Sequence, residues 1–238
     1  MTPAFVIPAP AQPTVAVLGH GPQAWPVHRI YCVGRNYAEH AREMGHSDRE
    51  PPFFFMKPAD AVLPAQPGQT VDMPYPSLTN NLHHEVELVA AIGVGGHDIA
   101  PDEALGHIYG YAVGLDMTRR DLQNDMKAQG RPWCIAKGFD ASAPIGPITP
   151  LQQVPDIERA RISLHVNGHL RQRGHIGQLI WSLAETVSVL SRAWRLQPGD
   201  LVFTGTPAGV GAVQIGDVLR GHIDGLTPLA VRIVPSAR

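Results

Sequence analysis

Short apolar runs punctuated by glycine and proline dominate the chain, and most carry the alternating or continuous pattern of strands rather than the 3.6-residue rhythm of helices. VHRIYCVG predicts a strand stopped by Gly34, and FFFMKP a short strand ended by Pro58. EVELVAAIGV and YGYAVGLD predict two longer strands, separated by a turn at GGHD and a short helix led by Pro101 and Asp102. ARISLHVNGHLRQRG reads as a hairpin, because Asn167-Gly168 supplies a tight turn between alternating segments. LVFTGTP, DVLRGHIDG and LAVRIV finish the chain as strands, the last two joined through Asp224-Gly225. Helical patterning is scarcer. NYAEHAREMG reads as a short helix or turn closed by Gly45, and TRRDLQNDMKA has helical character. LIWSLAETVSVLSRAW is the one long amphipathic helix, with Ile180, Leu183, Ala184, Val187 and Leu190 near one stripe. Without a regular strand-helix repeat a doubly wound sheet is disfavoured, and the expected class is mixed and mostly β (α+β). Residues 1–26, rich in proline and alanine with the single apolar run TVAVLG as a candidate edge strand, read as an N-terminal arm to a body spanning 27–238.

Composition narrows the function classes. The 238 residues are 44% hydrophobic and suffice for a full core. A net charge of -2 gives no general attraction to nucleic acid or anionic membrane, so neither is an expected partner. No window resembles a membrane span or a secretory leader, which makes a cytoplasmic setting the expectation. The two cysteines, Cys32 and Cys134, lack disulfide or metal-pair spacing.

The most informative chemistry is acidic. Glu85 and Glu87 stand at i and i+2, so on a strand both face the same side, and Asp116 closes the apolar run IYGYAVGLD. Three converging carboxylates repel one another unless a cation lies between them, and an oxygen-preferring divalent ion, Mg²⁺ or Mn²⁺, is the natural candidate. Arg120 and Gln123 follow Asp116 by four and seven residues, a spacing that would line both along one helical wall and suit a carboxylate substrate. A solvated surface helix is the plain alternative. His40 and Glu43, three apart, offer an imidazole oriented by a carboxylate, a competent general base for water, although such spacing also arises by chance. Lys57 and Lys137 sit among apolar and aromatic residues, either snorkelling to solvent or meeting negative charge that develops at a carbonyl. Thr206, in the glycine-rich turn GTPAGVG, could grip a carboxylate, but the loop lacks the lysine of a nucleotide-phosphate motif.

Taken in order, GRNYAEHAREM, FFFMKP, HEVELVAAIG, IYGYAVGLDMTRRDLQ, AKGFD, VNGHLRQ, LSRAWRLQPGDLVFTGTPAGVG and GDVLRGHIDGLTPL resemble the fumarylacetoacetate hydrolase family over residues 29–234, in its short bacterial acylpyruvate hydrolase branch. The resemblance implies a rolled β-sheet, usually in a homodimer, with 27–238 as the catalytic domain. It implies metal ligands at Glu85, Glu87 and Asp116, a catalytic dyad at His40 and Glu43, and a charge-stabilising lysine at Lys137. Lys57, Arg120, Gln123 and Thr206 match positions near the substrate. The implied reaction is metal-dependent hydrolysis of the C–C bond of a 2,4-dioxo acid, foremost 3-fumarylpyruvate to fumarate and pyruvate in gentisate breakdown, with no organic cofactor. Such a substrate has a second carboxylate, for which Arg35 is a candidate partner. Oxaloacetate decarboxylation and 2-hydroxyhepta-2,4-diene-1,7-dioate isomerisation are rivals that keep the metal and change the bond. A noncatalytic metal-stabilised binding protein is the reading from another class.

Overall fold

A computed structural model describes residues 5–37 and 49–236. Its apolar runs assemble mainly into two mixed sheets, an eight-stranded central one and a five-stranded outer one. Val86–Ile92 and Ile108–Leu115 pair antiparallel in the middle of the central sheet. On one side follow Leu201–Phe203, Ile30–Gly34 and Phe53–Lys57; on the other, Ala143–Ile145 and Val62–Pro64, with the two-residue Thr149–Pro150 also pairing to Ile108–Leu115. The outer sheet runs His169–His175, Arg161–Val166, Val218–Ile223, Leu229–Val234 and Thr70–Pro74. The result is a mixed α+β fold on a rolled sheet, with few and short helices.

Burial explains the patterns. Every residue of Val86–Ile92 is buried, so this strand reads as a continuous apolar run interrupted only by Glu87. Val86, Leu88, Ala90 and Ile92 enter the core shared with the outer sheet, beside Ile162, Leu164, Leu219 and Ile223. Val89 and Ala91 face a second core with Ile30, Cys32, Leu201 and Phe203. The hairpin Arg161–His175 turns at Asn167-Gly168, both at positive φ (52° and 81°), the backbone a two-residue primed turn requires. The sheet of Thr14–Ala16 and Ala24–Pro26, inside the segment read as an arm, places Val15 and Trp25 in the second core.

Three elements differ from the sequence expectation. The predicted strand EVELVAAIGV is trimmed at both ends to Val86–Ile92: Glu85 stands at a break, and before it Leu82–His84 pairs with Thr118–Arg119 and Gly211–Ala212 in a small separate sheet. The long helix is shorter than its apolar pattern, covering Leu183–Ala193. Ser182 fixes its start by capping: its hydroxyl accepts the Glu185 N–H at 3.3 Å while Glu185 accepts the Ser182 N–H at 3.0 Å. Ile180 therefore lies outside the helix and donates its N–H to the Asn36 carbonyl. Finally, the helix after Asp116 begins only at Arg120 and runs to Ala128. The predicted helical turn around NYAEHAREMG, with His40 and Glu43, lies outside the described residues. Among the described residues no helix is long and apolar enough to cross a membrane.

Candidate active site

The central strand pair brings the three carboxylates together by register. Val86 lies opposite Leu115 and Glu87 opposite Gly114, and one step further the Asp116 N–H donates to the Glu85 carbonyl at 2.9 Å. Glu85 and Asp116 thus face each other across the antiparallel ladder, with Glu87 two residues along on the same side. Gly114, opposite Glu87, is required by close packing, since a Cβ there would stand 2.5 Å from Val89 and 2.6 Å from Phe203. Oxygens of all three residues lie within 4.8 Å of one another, and all three are buried.

Like charges so placed are unfavourable, and basic side chains offset them. Lys137, buried on the short helix Cys134–Lys137, donates to Asp116 at 2.7 Å, to Thr118 Oγ1 at 2.7 Å and to Glu85 at 2.9 Å. Burial lowers its pKa, but the Asp116 and Glu85 carboxylates outweigh that and hold it above the ordinary lysine value. Lys57 Nζ approaches the other Asp116 oxygen at 2.8 Å, and Arg120 pairs with Glu85 and Gln123. Glu87 receives the Gly205 N–H at 2.8 Å, yet burial, Asp116 and Glu85 push its carboxyl well above the usual range. An all-oxygen, anionic, buried donor set with one carboxyl forced towards its neutral form fits a hard divalent cation.

A polar scaffold behind the trio fixes its backbone. Gly205 adopts φ +101°, and a side chain there would meet Asn36 Cβ at 2.7 Å. Asn36 in turn donates to the Thr204 and Trp181 carbonyls and accepts the Trp181 N–H. Gln172, buried on the hairpin, accepts the Val86 N–H at 3.1 Å and pairs with His84 Nδ1 at 2.9 Å through one oxygen. Its amide nitrogen donates to Thr206 Oγ1 and the Pro207 carbonyl, both at 2.8 Å. Gln172→Leu is expected to lower the unfolding free energy by about 3 kcal/mol, because more than one buried group loses its partner at roughly 1–3 kcal/mol each. Urea denaturation checks this.

The trio opens into a cleft lined by Val33, Gly34, Arg35, Phe53, Phe55, Arg120, Gln123, Lys127, Trp133, Lys137, Gly205 and Thr206. Most residues singled out from the sequence therefore meet here. Arg120 and Gln123 are three apart on one helix face, as the spacing implied, though Asp116 precedes the helix rather than opening it. Thr206 lines the cleft, but its hydroxyl donates to the Val86 carbonyl and accepts from Gln172, so it braces the strand. Lys57 is displaced from its expected place: fully buried, with Nζ held by Asp116 and the Met117 and Lys137 carbonyls, it stands behind the trio and neither snorkels nor lines the cleft. Arg35 lies on the cleft wall at φ 57°, over the Phe53 ring. His83 and His84 turn to Asn81 and Gln172. His40 and Glu43 lie outside the described residues. Gln172, Asn36 and Lys127 were not read from the sequence. A parity count along HLRQRGH marks Gln172 as inward-facing, and a further turn of the helix from Gln123 reaches Lys127.

Comparison with known proteins matches residues 29–234 to the fumarylacetoacetate (FAA) hydrolase C-terminal family. The crystal structure of fumarylpyruvate hydrolase from Pseudomonas aeruginosa, in complex with Mn²⁺ and pyruvate, superposes with a TM-score of 0.96 at 58% identity, covering 98% of this chain and 100% of that one. Oxaloacetate tautomerase of Rattus norvegicus is 41% identical over 204 residues, 86% of this chain and 90% of that protein. Oxaloacetate decarboxylase of Dictyostelium discoideum is 39% identical over 198 residues, 83% and 89% of the two.

Proposed function

We propose that this chain, which belongs to the fumarylacetoacetate hydrolase family, hydrolyses the C–C bond of a 2,4-dioxo acid, with fumarylpyruvate giving fumarate and pyruvate as the foremost case. The single observation that carries the reading is the buried Glu85, Glu87 and Asp116 trio opening into a cleft walled by Arg120, Gln123 and Lys137. The Pseudomonas relative, with Mn²⁺ and pyruvate bound, supports the same assignment of metal and product. A divalent ion held by the trio supplies Lewis acidity and counter-charge for a 2-oxo acid.

The side chains then divide the work. Arg120 and Gln123 fix the substrate carboxylate by charge-assisted and neutral hydrogen bonds. His40, oriented by Glu43, takes the proton of the attacking water. The hydroxyl joins the acyl carbonyl carbon, where the Lys137 ammonium faces the developing negative charge. The C–C bond breaks, its electrons leave as the enolate of pyruvate, and a proton returns to the carbon that carried the acyl group. A homodimer and a catalytic unit spanning 27–238 belong to the same proposal and rest on the family resemblance, while a cytoplasmic setting is proposed from the sequence pattern alone.

The second reading is oxaloacetate chemistry, favoured by relatives near 40% identity that carry such names. A turnover panel of fumarylpyruvate, acetylpyruvate and oxaloacetate, with and without EDTA, separates the two. Preference for the acylpyruvates, lost on chelation, is expected; strong preference for oxaloacetate overturns the hydrolase assignment.

A further inference from the structure

The floor of the cleft pairs each of its cations, because Lys57 is held by Asp116, Arg120 by Glu85 and Lys137 by both. Its rim does not. Lys127 is the third member of a stripe that begins with Arg120 and Gln123, at i, i+3 and i+7 on the helix Arg120–Ala128, and all three line the cleft. Seven residues advance about 10 Å along a helix, so Lys127 stands at the outer end of the wall whose inner end touches Glu85. It is half-buried and makes no ion pair among the described residues. Arg35 also lines the cleft, and its guanidinium lies 5.2 Å from the Phe53 ring centroid and 3.5 Å from the half-exposed Glu50. Burial first, then the positive fields of Arg35 and Arg120, lower the Lys127 pKa. A group held in such a field gains from an arriving anion, since a carboxylate relieves the repulsion between the two walls.

We infer that Lys127, with Arg35 nearby, receives the second carboxylate at the acyl end of a dicarboxylic substrate, and so sets preference for acyl groups ending in carboxylate over those ending in methyl. This rests on the acylpyruvate reading above and assigns its distal anion site. A lysine serves here as a mobile point charge that follows the chain end, whereas Arg120 at the inner end offers a rigid fork.

The test is Lys127→Met, which keeps the length and apolar stem, beside Lys127→Arg, which keeps the charge. With fumarylpyruvate, kcat/KM of Lys127→Met is expected to fall about 10- to 100-fold, mainly through KM, consistent with loss of a charge-assisted contact. With acetylpyruvate it should stay within about threefold, and Lys127→Arg should recover most of the loss. Equal losses on both substrates, or none on either, overturn the inference. Binding of fumarate and of pyruvate, followed through tryptophan fluorescence, gives a readout independent of turnover. Lys127→Met should weaken fumarate at least about tenfold and leave pyruvate unchanged. Should the wild-type protein turn over no acylpyruvate while this binding difference holds, the hydrolase reading falls and the anion site stands. If fumarate binds both forms equally, the anion site falls whatever the reaction.

Discussion

Glu87→Gln is expected to lower turnover about a thousandfold while leaving the metal-free protein as stable as before or more so. A bound divalent ion contributes several kcal/mol of charge stabilisation in the transition state, and each 1.4 kcal/mol is about a factor of ten in rate. Removing one of three anionic ligands forfeits much of that. Stability moves the other way because the folded protein already resists the Glu87 charge: burial, Asp116 and Glu85 all push its proton affinity up. Glutamine imitates the protonated acid, and its amide oxygen still accepts the Gly205 N–H that now reaches Glu87 at 2.8 Å. Thermal unfolding in EDTA together with turnover at saturating Mn²⁺ checks both halves. A fall in metal-free stability comparable to the loss of a buried ion pair would contradict the electrostatics described here. Function at this residue is thus maintained at the expense of stability.

Lys137→Met has the opposite signature, with activity and metal-free stability falling together. Its ammonium is the shared donor between Glu85 and Asp116, which face each other across the strand pair. Removing it leaves buried carboxylates without that counter-charge, at a cost of about 3–5 kcal/mol. Turnover should drop about 10²–10³-fold, the range for losing one donor to a developing oxyanion, and chiefly in kcat. Saturating Mn²⁺ should restore much of the lost melting temperature, since a divalent ion neutralises the same oxygens, but not the rate. Arginine should not substitute, because its planar fork cannot place one point charge among Asp116, Glu85 and Thr118. Melting curves and steady-state kinetics on both variants decide it. Rescue of kcat by arginine, or a Lys137→Met protein as stable as the parent without metal, would show that the ammonium is not the counter-ion described.

The acidic trio was legible because strand periodicity is local. Glu85 and Glu87 share a side because the Asp116 N–H to Glu85 carbonyl bond carries the ladder one residue past the end of Val86–Ile92. That Asp116 faces Glu85 is a matter of register between distant segments, and no spacing along the chain specifies it. Lys57 shows the same boundary from the other side. Its aromatic neighbours imply a lysine at the end of a strand, but not that the Met117 and Lys137 carbonyls and Asp116 converge on its ammonium. The apolar run ahead of Leu183–Ala193 begins before Ser182 and suggests a longer helix, but the capping box at Ser182 and Glu185 overrides the stripe. Gln172 went unread for a simpler reason: it sits in a polar strand whose inward positions, Gln172 and Gly174, carry no apolar signal. Long-range pairing therefore decides what local pattern cannot, while the residue types at the site were readable from chemistry alone.

The claim on which all of this depends is that Glu85, Glu87 and Asp116 hold a divalent cation. Calorimetric titration of the EDTA-treated protein with Mn²⁺, across about pH 5–8 and in buffers of different ionisation enthalpy, tests it most directly. The raised Glu87 carboxyl must lose its proton to become a ligand, so affinity should climb as pH rises towards its pKa and level off above it, with proton release on binding. One ion per chain, bound with that pH dependence and lost in Glu87→Gln, is the expected result. No saturable uptake at any pH, or uptake indifferent to Glu87→Gln, would contradict it.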